Sequence, residues 1–234
     1  MPSANETKEY VENGYYHIYN RGVEKRLIFQ DEQDSVVFLS YLKEYLLPKN
    51  EEELSKKLSD QNLPYKERVK TIRLLRMNNF ADEITLLAYC LMPNHFHMLI
   101  KQKSASSIDK FMNSMATRYT MYFNQKYKRV GPLYQGVYKA VLITRDEQLL
   151  HLTRYIHQNP QGKKKHLEKS HAENLLYSQP SSYPEYAGKR KTMWIKCEEI
   201  LAYFSKTNSK FSYEAFVNSE ENFEKIAKLT IDAN

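Results

Sequence analysis

The stretch Met92-Pro93-Asn94-His95-Phe96-His97-Met98-Leu99-Ile100 reads as a chain reversal followed at once by a β-strand. Pro93-Asn94 is turn chemistry, and apolar runs lie on both sides of it, Glu83 to Met92 and His95 to Lys101. The two runs therefore predict a β-hairpin. In a strand, residues i and i+2 point to the same face. His95 and His97 then project together, while Phe96 and Met98 face the opposite way. Two convergent imidazoles make two-thirds of a divalent-metal site. The third donor must come from elsewhere in the chain.

Working outward, Tyr15 to Arg21 (YYHIYNR) is aromatic and β-branched and predicts a first strand. Residues 34–47 place Phe38, Tyr41, Leu42 and Tyr45 at helical spacing, and Pro48 stops the pattern. Residues 48–80 are charged, with helical patterns but no strong apolar face, and read as a helical insertion. After the hairpin, Ser106 with Asp109 resembles a capping box and opens a helix to about Lys128. Gly131-Pro132 marks a turn, and Tyr134 to Ile143 predicts a further strand. Thr144 with Glu147 is a cleaner capping box. It starts a helix that ends near Asn159, because Pro160 and Gly162 follow. The order β-α-(insertion)-β-β-α-β-α predicts an α+β chain with a ferredoxin-like split βαβ antiparallel sheet. Residues 163–190 are basic and then loop-like, and residues 194–230 read as a helical appendage. The domain reading is one unit over 14–162, with 48–80 as its insertion, followed by 163–234.

Composition narrows the function. The chain has 234 residues, 41% apolar and 27% charged, which suits a globular core and excludes wholesale disorder. No apolar run approaches a membrane span and the N-terminus lacks an apolar signal segment, so a cytoplasmic protein without a membrane partner is expected. Cys90 and Cys197 form no metal-type spacing and are expected as reduced thiols, Cys90 packed on its strand. The formal charge of +7 points to a polyanionic partner, and the 19 tyrosines can either fill cores or stack on unpaired bases.

The last predicted helix carries His151, Tyr155 and Asn159 at i, i+4 and i+8, roughly along one face. If it packs beside the histidine strand, Asn159 can complete the coordination begun by His95 and His97, with Tyr155 aimed at a phosphate held there. Plainer roles compete. Asn159 also suits a helix C-cap before Pro160. Tyr119 and Tyr122 fit a core-facing stripe, with Tyr127 nearby. His151 and His157 read as solvent-exposed helix residues, proton transfer being the alternative, and His17 as a surface or core residue of the first strand, approach to the site being its alternative. Lys101, Lys103, Lys110, Arg118, Lys126, Lys128, Arg129, Lys139 and Arg154 are scattered through the motif-bearing region, as phosphate contacts along a groove require, although a solvated face would look the same. The run Lys163-Lys164-Lys165 reads as a solvated loop.

His95-Phe96-His97 resembles the histidine–hydrophobe–histidine motif of the HUH endonuclease superfamily. With YHIYNRG, LAYCLMPNHFHMLI and RYIHQNP, it resembles the IS200-like single-tyrosine transposases, and within them the REP-associated tyrosine transposases, over residues 14–185. The resemblance implies His95, His97 and Asn159 as ligands of Mg2+ or Mn2+, and Tyr155 as nucleophile. It also implies Arg21 as a DNA contact, joined among candidate contacts by Lys101, Lys103, Arg118, Lys128, Arg129 and Arg154. The implied reaction cuts single-stranded DNA beside a hairpin, through a 5′-phosphotyrosyl link and a free 3′-hydroxyl, and rejoins it. In the insertion-sequence branch the third ligand is often glutamine four residues after the tyrosine; asparagine here suits the REP-associated branch. Both a monomer and a homodimer exchanging the tyrosine helix are open. A DNA-binding host factor of the same fold without transposition is the main alternative, against which the intact His95, His97, Tyr155 and Asn159 argue. A hydrolase of small phosphate esters would need more acidic or histidine ligands than this chain offers.

Overall fold

The computed structural model describes residues 8–161 and 179–219. Period-two alternation along two central strands sorts the molecule into layers. β1 (Tyr15–Arg21) pairs with the third strand, β3 (His95–Gln102), placing Tyr19 opposite His97 and Arg21 opposite His95. β2 (Ile84–Met92) flanks β3, with Cys90 opposite His97, and β4 (Lys139–Ile143) flanks β1. The sheet order is β2-β3-β1-β4 and every neighbouring pair is antiparallel. This α+β arrangement is the expected split βαβ.

One face of the sheet presents Tyr16, Ile18, Phe96, Met98 and Ile100. It is covered by α1 (Glu32–Leu46) and α4 (Ser107–Lys126) through Phe38, Leu42, Phe111, Met115 and Tyr119. Tyr119 is a packing residue: it is fully buried and its hydroxyl donates to the Ile28 carbonyl at 2.6 Å. Between α1 and β2 stands a helical pair, α2 (Glu51–Ser59) and α3 (Tyr65–Arg76), largely exposed, with Thr71 its buried residue. The other face carries Leu99 and the histidines. It is covered by α5 (Asp146–Gln158), which buries Leu149, Leu152, Tyr155 and Ile156.

The C-terminal residues complete this second layer. The 179–182 segment runs along the β2 edge, where Leu91 N–H donates to Pro180 O and Ser182 N–H to Tyr89 O. The short helices α6 (Tyr183–Tyr186), α7 (Glu198–Leu201) and α8 (Tyr213–Asn218) then add Tyr183, Tyr186, Ile200, Tyr213 and Val217 to the core under α5. Over 194–219 the helical expectation thus reduces to short pieces. Its remainder, and Lys163-Lys164-Lys165, lie outside the described residues. Among the described residues no helix is long and apolar enough to cross a membrane.

Three local readings need correction. The strand expected from Tyr134 begins only at Lys139. Tyr134 makes a single bridge to Gly22, and the Asn20 amide captures Gly136 O, which draws the backbone off the ladder. Ser106 makes no capping bond; Ser104 and Ser107 hydroxyls instead donate to Glu83, while Asp109 accepts from Tyr10 and Tyr138. Helix α5 begins after Arg145, and Thr144 bonds Gln148 rather than Glu147.

Candidate active site

The site is assembled where the β2–β3 hairpin turn meets the end of β1. Pro93 O accepts from Ile28 N–H at 2.7 Å and Phe29 N–H at 3.0 Å, and Asn94 O accepts from Gly22 N–H at 2.9 Å. Gly22 is required by the folding of its own loop, since a Cβ there would lie 2.3 Å from the Arg26 carbonyl oxygen. The turn is thereby pinned, and with it the strand start that carries His95.

Over this strand end, the last turn of α5 brings Asn159 between the two imidazoles. His95 Nε2 lies 3.3 Å from Asn159 Oδ1, and Asn159 Nδ2 lies 3.5 Å from His97 Nε2. The His95 and His97 rings stand nearly perpendicular, centroids 5.0 Å apart. Tyr155, one turn earlier on α5, is buried edge-on to His97 at 5.4 Å and to His17 at 6.2 Å. Behind His97, its Nδ1 meets His17 Nε2 at 2.9 Å. Behind His95, Nδ1 meets Asn94 Oδ1 at 2.6 Å. Burial, with His17, His95 and Arg21 nearby, pushes His97 well below the usual imidazole range, so its ring is neutral and keeps a lone pair.

These donors suit a small divalent cation. A neutral His95 has one N–H but two acceptor oxygens, Asn94 Oδ1 and Asn159 Oδ1, at its two ring nitrogens. With the proton toward Asn94, the Nε2 lone pair faces an amide oxygen, and a cation between them relieves that opposition. Neighbouring donors around a six-coordinate Mg2+ lie about 3 Å apart, given metal–oxygen distances of about 2.1 Å. Among the described residues no three His, Cys, Asp or Glu side chains gather in a metal-holding group; the polar side chain that stands beside both imidazoles is the amide of Asn159.

The expected basic contacts divide. Arg21 sits on the site face opposite His95, and its buried Nε has no hydrogen-bond partner among the described residues. Lys128 and Arg129 stand in the loop that leads to the Gly22 bridge, Lys128 with a left-handed backbone (φ 49°) and Arg129 bonded to Asn124 Oδ1 at 2.8 Å. Lys101 shares the site face but is held by Tyr15 and Glu199. Lys103 follows the far end of β3, about 26 Å from His95 at 3.3 Å per residue. Arg118 lies in the opposite layer, bonded to Glu44 at 2.5 Å and stacked on Tyr41. Arg154, expected on DNA, is instead 2% exposed and holds His151 Nδ1, Phe216 O and Ser219 Oγ. It turns inward because α8 covers that side of α5. His157, expected to be solvent-exposed, is likewise structural, fully buried between Tyr213 Oη at 2.6 Å and Ser182 Oγ at 2.7 Å because the C-terminal residues cover α5 there. His17, read as a surface or core residue with approach to the site as the alternative, is fully buried and does reach His97. The i, i+2 rule that paired His95 with His97 also places His17, Tyr19 and Arg21 on one face.

The family described as Transposase IS200 like matches residues 57–159. Over that segment the chain is similar to that family. The matched segment contains His95, His97, Tyr155 and Asn159 and leaves out β1 with His17 and Arg21. A solved structure described as a REP-associated tyrosine transposase bound to a REP hairpin is similar at 11% identity and a TM-score of 0.45, covering 82% of this chain and 97% of that one. No curated protein matches.

Proposed function

We propose that this chain is a metal-dependent transposase or nickase that cleaves and rejoins single-stranded DNA through Tyr155. The observation that carries the reading is the meeting of Tyr155, His95, His97 and Asn159 on one sheet face, within a segment that is IS200-like. Residues 14–162 are read as the catalytic unit, with 179–219 packed on α5. The Tyr155 oxygen attacks the scissile phosphorus, forms the phosphotyrosyl bond and releases the 3′ oxygen, which takes a proton to become a 3′-hydroxyl. Attack by a later 3′-hydroxyl reverses the step, so strands are exchanged without an energy source. A free phenol titrates near ~10, so Tyr155 must lose its proton as it attacks. The Arg21 guanidinium beside His95 favours the phenolate and engages a phosphate oxygen.

His95 Nε2, His97 Nε2 and Asn159 Oδ1 would hold Mg2+ or Mn2+, the two imidazoles weighting the set toward Mn2+. Bound there, the ion supplies neutralisation of the charge developing on the phosphate. Lys128 and Arg129, at the same end of the sheet, extend the cationic surface along the DNA backbone.

The test is incubation of the full chain with labelled single-stranded hairpin DNA and Mn2+, resolved on a denaturing gel. A slow-migrating covalent adduct is expected, lost with EDTA and in Tyr155→Phe. Binding without adduct across a varied hairpin library would overturn the reading in favour of a DNA-binding host factor. An adduct retained by Tyr155→Phe would move the nucleophile to another side chain.

A further inference from the structure

We infer that His17 is a positioning residue that holds His97 in the tautomer whose Nε2 lone pair faces Asn159 and His95. The inference rests on the metal-holding role proposed for those three residues. His17 and His97 are both fully buried, their rings stack with centroids 5.1 Å apart and an interplanar angle of 20°, and their nitrogens are 2.9 Å apart. Only one hydrogen fits between two nitrogens at that distance. The other nitrogen of His97 faces the Nδ2 donor of Asn159, which calls for a lone pair on Nε2. The hydrogen therefore sits on His97 Nδ1 and is donated to His17 Nε2.

Each imidazole of the site then has its own acceptor behind it. His95 donates to the amide of Asn94 in the adjoining turn, whereas His97 donates to a histidine on the neighbouring strand. A neutral imidazole supplies that acceptor lone pair without adding an ion to a fully buried position. Such partners typically change metal affinity 10–100-fold when removed, because they fix the tautomer and the ring orientation.

Two measurements on the full chain test this without reference to activity. Nitrogen-15 NMR of the imidazoles in the metal-free protein reads the tautomer directly. Wild type is expected to carry the His97 proton on Nδ1, His17→Gln to keep it there through the new amide oxygen, and His17→Phe to lose that preference. Mn2+ titration followed by EPR should show affinity about 10–100-fold weaker in His17→Phe and within a few-fold of wild type in His17→Gln. A wild-type His97 carrying its proton on Nε2 would overturn the inference. So would a His17→Phe variant with an unchanged tautomer and unchanged Mn2+ affinity, or equal losses in the Phe and Gln variants. If His17→Phe fails to fold, the wild-type tautomer and His17→Gln decide. Absence of Mn2+ binding in wild type would count against the metal-holding role, while the His97 tautomer would still decide the role of His17.

Discussion

Along β1 and β3, the residues facing α1 and α4 are Tyr16, Ile18, Phe96, Met98 and Ile100; the residues facing α5 include His17, Tyr19, His95 and His97. The two sets alternate in sequence and belong to the same backbone. The first set packs side chain on side chain, and each fully buried aliphatic or phenylalanine stabilises the fold by about 1.5–3 kcal/mol. The second set encloses polar nitrogens that can be satisfied only by specific partners at specific distances. One face tolerates any shape-compatible apolar residue, and the other tolerates almost no exchange. A single strand can therefore anchor a fold and carry a site, because its two faces answer to different physics.

Substitutions can break this comparison, beginning with the largest effect. Tyr155→Phe is expected to eliminate covalent DNA adduct while shifting stability by less than about 1.5 kcal/mol, read by adduct gels and urea unfolding. Adduct formation at wild-type level would dissolve the distinction between the faces. Next, Phe96→Ala should destabilise by about 3–5 kcal/mol, through lost transfer energy and the cavity left behind. Its neighbour His95→Ala, half-buried on the other face, should cost under about 1 kcal/mol yet abolish Mn2+-dependent cleavage. The urea midpoints of the two variants check this, and a larger shift for His95→Ala would reverse the assignment of roles.

A third comparison lies inside the α5 layer. His157→Leu removes one buried partner from the Tyr213 hydroxyl and one from Ser182 Oγ, which keeps the Tyr89 N–H, and should cost about 1–3 kcal/mol, with no loss of Mn2+ affinity. Reduced Mn2+ binding at full occupancy of the folded state would make His157 part of the site. The smallest effect separates two arginines. Arg21→Ala should weaken binding of single-stranded DNA and lower the salt slope by about one, whereas Arg154→Ala should leave the slope unchanged. A reduced slope for Arg154→Ala would mean that α8 leaves α5 when DNA binds.

Much of this arrangement was legible before any coordinates. Turn chemistry at Pro93-Asn94, alternation through His95 to Ile100 and helical spacing around Phe38 are local signals, and the sheet order follows from them with the usual right-handed connections. The Tyr155–Asn159 pairing was legible for the same reason, one turn of helix separating them. The readings that missed were those in which a distant group outcompeted a local one. Asn20 takes Gly136 O away from a longer β4, Tyr10 and Tyr138 take the Asp109 carboxylate expected to pair with Ser106, and α8 captures Arg154 from solvent. The edge segment 179–182 carries no strand signature at all, and it pairs because β2 offers it free backbone groups.

The sequence by itself determined that His95 and His97 share a face, that Tyr155 and Asn159 share a helix stripe, and that a basic α+β chain would carry them. Those properties follow from backbone periods, which each segment possesses alone. Only the tertiary structure decided that Asn159 would sit between imidazoles more than sixty residues earlier, that His17 would stand behind His97, and that Arg154 would point inward. Apolar burial is non-directional and does not specify which helix covers which face. The choice is made when all layers pack at once, and the polar contacts then take whatever partners that packing has delivered.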